Sequence, residues 1–162
     1  MEITATLSKI DSSILADYIL KNYGPMSHLK LQKLLFYCDA YHMAYFGEEL
    51  VTDEFEAWAH GPVSRTIYNS LKDKSILYSD LSYSDKGINP DDEIKKLTSD
   101  QQIMLKEILG ELSSWTGPQL EASTHREYPW IEARKGYGEG AKCSVSISKK
   151  TTLEFYKREI NG

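Results

Sequence analysis

Residues 27–46 constrain the fold more than any other stretch of the chain. Leu31, Leu34, Leu35, Cys38, Tyr41 and Tyr45 recur at three- and four-residue intervals. That spacing aligns side chains on one face of a helix. Gly47 supplies the stop, because glycine accepts the left-handed backbone on which many helices end. Lys30, Lys33 and Asp39 fall on the other side, so the pattern predicts a central core helix with a polar back. An apolar stripe this broad has to be covered by other elements, and the flanking sequence offers them.

Before it, Asp11 or Ser12 can cap a helix whose apolar face is Ile14, Leu15, Tyr18 and Ile19. Gly24-Pro25 ends that helix, with glycine expected to provide a left-handed exit. After it, residues 49–60 lose the helical period, and Phe55 to His60 read as a short strand. Gly61-Pro62 is expected to open a third helix with Val63, Ile67, Tyr68 and Leu71 buried, since proline is tolerated in a first turn. Residues 79–92, polar and holding Gly87 and Asn89-Pro90, read as a loop. Thr98 to Gln102 offers a capping box in either of two registers, ahead of Leu105, Ile108, Leu109 and Leu112. Thr116 to Gln119 opens a short helix, and another runs from near Pro129 to Gly136. Gly136, Gly138 and Gly140 mark a loop without phosphate-binding spacing. Cys143, Val145 and Ile147 alternate like a brief strand. Ser148 then caps a last helix carrying Leu153, Tyr156 and Ile160. The expectation is a mainly α fold: one compact helical domain over residues 1–162, with six or seven helices and one or two short β-strands.

Composition narrows the function classes. The 162 residues carry 24 acidic and 19 basic side chains, a formal net charge of −5. Duplex binders show the opposite excess, because neutralised phosphates supply most of their affinity. Nucleic acid is therefore disfavoured as a partner. Lys30 and Lys33, Lys72 and Lys74, and Lys149, Lys150, Lys157 and Arg158 read as solvated helix faces. Met1 to Ala5 lacks the basic region and apolar core of a signal peptide, and no apolar run approaches a bilayer span. The expectation is a cytoplasmic protein with no membrane partner, its two cysteines, Cys38 and Cys143, reduced.

The residues that could carry chemistry are few. Cys38 and His42 lie four apart on one helical face, a spacing that suits metal ligation, with His60 and His125 as further ligands. The same residues could serve a Cys–His hydrolase. Against both stands the position of Cys38 in mid-helix on an apolar stripe, where a thiol is usually inert. Ser64 has no nucleophile-elbow glycines. Neither a catalytic set nor a cofactor or metal site is assigned. Aromatic residues are the more distinctive feature. Trp58 precedes His60-Gly61-Pro62, and His125 precedes Tyr128-Pro129-Trp130. Both tryptophans read as locks holding loops onto the core, while a loop histidine could equally face a partner.

Leu29-Lys30-Leu31-Gln32-Lys33-Leu34-Leu35 with Tyr37 resembles the opening helix motif of the Panacea antitoxin domain, also called SocA-like. Phe55-Glu56-Ala57-Trp58-Ala59-His60-Gly61-Pro62-Val63 is similar to that family's second motif. Thr124-His125 followed by Pro129-Trp130 and Ala133 is similar to its third. The motif-bearing core spans about 27–135, with a compatible C-terminal helix over about 149–160. The resemblance, which extends to phage-associated GepA-like proteins, implies a non-catalytic antitoxin. Such a protein neutralises a cognate protein toxin, encoded by the adjacent gene of a bacterium, plasmid or prophage, by binding it. The namesake branch implies an alternative, an adaptor that delivers its toxin to a protease; the Cys/His hydrolase is a second. Because motif residues are shared by members with different partners, Leu31, Gln32, Lys33, Leu34, Tyr37, Glu56, Trp58, His60, Gly61, Pro62, Val63, His125, Pro129 and Trp130 are expected mainly to hold the fold. Toxin specificity would then lie outside them, on the 79–92 loop or the chain ends.

Overall fold

A computed structural model describes residues 6–73 and 79–162. The signal-peptide reading of Met1 to Ala5 and the place of Lys74 lie outside these residues. Among them the chain is mainly helical, with only short antiparallel strands in two small sheets.

The order begins with α1 (Ser12–Tyr23), β1 (Met26–Ser27) and α2 (His28–Phe46). The hairpin of β2 (Phe55–Trp58) and β3 (Gly61–Ser64) follows, then α3 (Arg65–Leu71), β4 (Asp80–Leu81) and α4 (Pro90–Ile94). The chain closes with α5 (Ser99–Leu112), α6 (Gly117–His125), α7 (Tyr128–Ala133) and α8 (Lys149–Asn161). The helix and strand numbers exceed those expected from sequence for a local reason. The span 79–92 is not all loop: Asp80 and Leu81 pair antiparallel with β1, and Asn89 caps the short α4, whose first residue is Pro90.

Side-chain caps fix most helix starts. The Asp11 carboxylate accepts from Ser13 and Ile14 N–H, and Ser27 Oγ accepts from Lys30 N–H. Thr98 and Thr116 each form a reciprocal box, with Gln101 and Gln119 respectively. Gly47 ends α2 at φ 77°, the left-handed stop expected there. Gly24 behaves differently: its φ is −88°, so no left-handed exit exists. Glycine is required instead by space, since a Cβ there would sit 2.5 Å from Leu20 O.

The polar back predicted for α2 is absent. Fifteen of its 19 residues are buried, Lys33 and Asp39 among them. Packing by α1, α5, α6, α8, β1 and β3 covers the helix on every side. Tyr45, assigned to the buried stripe, is 52% exposed at the last turn, beyond that cover. Asp39 accepts Leu50 N–H (2.8 Å) and Val51 N–H (3.1 Å) on one oxygen, and Lys149 Nζ (2.8 Å) on the other. A carboxylate read as solvent-facing therefore ties the chain return after α2 to the start of α8, and Lys149 is part of that tie, not of a solvated face. No helix among the described residues is long and apolar enough to cross a membrane.

The third helix also starts later than expected. Gly61 and Pro62 are extended and pair with Trp58 and Ala57. Proline is tolerated because its partner Ala57 sends its N–H away from β3, to Val145 O, so position 62 owes β2 no donated bond. Ser64, at the strand's end, caps α3 through Ile67 N–H, so Val63 is buried in a strand and not in a helix. Segment 143–147 adds to the outer side of β2, with Ser146 opposite Glu56.

Candidate functional site

The three sequence motifs meet at one place, the turn of the β2–β3 hairpin. Gly61 has φ 107°, which an L side chain rarely adopts. A Cβ there would also lie 2.5 Å from Lys33 Cε and 3.0 Å from Thr124 Oγ1. Glycine is thus demanded twice, by backbone conformation and by the helix beneath it. Lys33 is fully buried and donates from Nζ to Pro62 O at 2.9 Å. Burial pushes its ammonium down to about 7, and the nearby Glu121 carboxylate only partly opposes this.

One residue earlier on α2, the buried Gln32 amide treats Ser64 as a strand neighbour would. It accepts Ser64 N–H at 2.9 Å and donates to Ser64 O at 3.2 Å. Its amide nitrogen also lies 3.1 Å from His28 Nε2. If Gln32 donates there, the His28 proton resides on Nδ1, which has no hydrogen-bond partner. Desolvation pushes this imidazole down to about 4, with the Lys33 charge adding to the effect. The ring stacks on Tyr68 at 5.6 Å.

The third motif closes the opposite side. Trp130 Nε1 donates to Trp58 O at 2.9 Å, and His125 stacks on Trp130 at 4.0 Å with the rings 15° apart. His125 is lowered chiefly by desolvation, and its Nε2 is buried without a partner. Arg134 donates from Nη1 to Ala57 O and from Nη2 to Gly138 O and Ala141 O, with its guanidinium 5.1 Å from the Trp130 ring centre. Both tryptophans are half-buried: Trp130 joins α7 to the hairpin, and the Trp58 ring packs edge-on against Tyr68 of α3. Pro129 is buried in the first turn of α7. His60 is exposed and lies 3.1 Å from Glu121 Oε1. Glu56 accepts hydrogen bonds from Trp58 Nε1 and from Nε and Nη2 of Arg65, and the Arg65 bonds hold its carboxyl below the usual range.

Other candidates stand apart from this corner. Leu31 and Leu34 are core residues of α2. Tyr37 places its hydroxyl 2.5 Å from Glu127 Oε1, and Tyr156 donates to the same oxygen at 2.8 Å. Burial raises Glu127, and it raises both tyrosines further. Cys38 is completely buried and its thiol is pushed well above the ordinary range. His42 bonds Glu48 O at 2.6 Å and Gln101 Nε2 at 2.9 Å. Among the described residues, no three His, Cys, Asp or Glu side chains gather to hold a metal.

The tertiary roles of Glu127, Asp39 and Arg134, and the bond from Gln101 to His42, were not recognised from sequence. Glu127 offered one signal, a carboxylate set between Thr124-His125 and Pro129-Trp130 within the third motif. The other three reveal themselves only through partners distant in sequence.

Outside the hairpin lies a cleft of about 480 Å³, lined by Trp58, Val63, Arg65, Tyr68, Lys142 and Ser144 among others. A family model described as antitoxin SocA-like, Panacea domain, matches residues 31–131. The chain belongs to this family. No curated protein and no solved structure matches it. The matched Panacea stretch contains Gln32, Lys33, the β2–β3 hairpin, His125 and Trp130, and leaves out His28 and Arg134. α1 and α8 lie outside it, yet both pack on α2 and complete the Panacea core here.

Proposed function

We propose that this chain is the antitoxin of a toxin–antitoxin pair and neutralises its cognate toxin by direct protein–protein binding in the cytoplasm. The observation that carries this reading is the Panacea match over residues 31–131. Burial of Lys33 and Cys38 supports binding over catalysis at these two groups. Lys33 and Cys38 have no exposed surface, and Lys33 is closed off by the turn it supports. In this reading the motif residues hold the hairpin, and the toxin meets surface outside them. The net charge of −5 suits a toxin with a basic active surface.

Co-expression with the product of the adjacent gene tests the proposal. Growth should be restored, and the two proteins should co-purify as a complex. A toxic neighbour that still kills and leaves no complex would falsify it. Trp130→Ala, checked for an unchanged fold, should retain toxin binding if this motif tryptophan serves the hairpin and not the interface.

A further inference from the structure

Segment 143–147, bridged to the outer side of β2, leaves an open backbone edge. Ala57 N–H donates to Val145 O at 2.9 Å and Ile147 N–H donates to Phe55 O at 2.7 Å. In antiparallel pairing, alternate residues turn both backbone groups towards the same neighbour. Val145 and Ile147 face β2, so Ser144 and Ser146 direct their N–H and C=O groups outward. None of these four groups meets a partner among the described residues. Ser144, Val145 and Ser146 are all exposed. Proteins usually protect such an edge with a charge, a proline, a bulge or a cover; segment 143–147 carries neither charge nor proline.

The two faces beside this edge are also unfinished. Val145 shares a face with Cys143 and Ile147, which are 3% and 4% exposed, yet it is itself 40% exposed. On the other face, Ser144 and Trp58 border the cleft of about 480 Å³. Arg65 on that cleft is tied to Glu56, whereas Lys142 has no ion pair among the described residues.

We propose that the outward edge of segment 143–147 takes an extended strand of the toxin by β-addition, an assignment that rests on the antitoxin reading above. Unpaired alternate amides and carbonyls recognise a polypeptide backbone. The added strand places an apolar side chain over Val145 on one face. On the other it sends an acidic side chain to Lys142, which stands beside Ser144 at the rim of the cleft.

Amide hydrogen exchange on the full chain, alone and in complex with the co-expressed product of the adjacent gene, tests this. The Ser144 and Ser146 amides should exchange freely in the chain alone and slow by about tenfold or more in the complex. Ser144→Pro removes one outward donor without touching a bond to β2. It should weaken toxin binding by about tenfold while leaving the melting temperature unchanged. If that variant melts early, Val145→Lys places a blocking charge on the edge and should give the same loss. A complex in which both amides exchange as in the free chain overturns the site, as does full affinity in both variants. Protection that appears in the chain alone and grows with its concentration assigns the edge to a second copy, and the toxin strand is then wrong. If no complex forms at all, the antitoxin reading falls and this proposal falls with it.

Discussion

Lys33 is a lysine that burial keeps close to losing its proton. Its folded value of about 7 lies below the unfolded one near 10.5, so the unfolded chain binds more protons between those two values. Stability from this group therefore rises with pH across that window and is lowest below about 7. The slope can reach about 1.4 kcal/mol per pH unit. In Lys33→Met, urea unfolding between pH 7 and 10 should lose that slope, with stability at pH 7 within about 1 kcal/mol of the parent. An unchanged slope would remove Lys33 as its source. His28 acts in the same sense at lower pH. Held near 4 in the fold, it leaves stability intact above about 6.5 and removes it as pH falls towards 4. His42 and His125, also lowered by desolvation, add to that loss. Unfolding midpoints should thus drop between pH 7 and 4.5, and less so in His28→Phe. Gly61→Ala faces both the 107° φ and the 2.5 Å approach to Lys33, and should cost about 2–4 kcal/mol in the same assay. The need for glycine at position 61 was legible as a motif, but its cause was not, because helical periodicity placed Lys33 on a solvent face.

At the scale of elements, Glu127 is the joint. It begins α7 and receives hydroxyls from Tyr37 on α2 and Tyr156 on α8. Both bonds end on one oxygen, so their contributions are coupled. Tyr37→Phe and Tyr156→Phe should each cost about 1–2 kcal/mol, with the double variant deviating from additivity by more than about 0.5 kcal/mol. Strict additivity in denaturant unfolding would mean the hydroxyls act separately. Lys149→Ala leaves the Asp39 carboxylate buried without its cation, and a loss of about 2–3 kcal/mol is expected. Helix positions were legible because caps and periodicity are local: Asp11, Ser27, Thr98, Thr116 and Ser148 all act within three residues of themselves. The β3 strand was misread for the complementary reason. Proline after glycine suits a helix start as well as an extended turn, and the pairing partner that decides between them, Ala57, is recognised only in space.

At the scale of the molecule, α2 is the axis on which the other elements are laid, and the family motifs describe only part of that covering. Residues 27–135 hold the three motifs but omit α1, α8 and the strand at 143–147. Expressed alone they should show no cooperative melt, since much of α2 would be bare to water. A sharp transition from that fragment would show that the motif region folds by itself. The fold class was readable from the stripe on α2, and the convergence of the motifs was not, because order along the chain says little about which turns meet.

The connection to that final covering helix has a practical side. Between Ala133 and segment 143–147 the chain runs through residues 136–140, all of them exposed and three of them glycines. Proteases prefer such backbone. One cut there would leave α8 held to α2 by noncovalent contacts alone, with the Lys149–Asp39 tie now bridging two separate molecules. The stretch open to such a cut lies against the residues by which the family is recognised, since Gly140 borders the same cleft as Trp58 and His60.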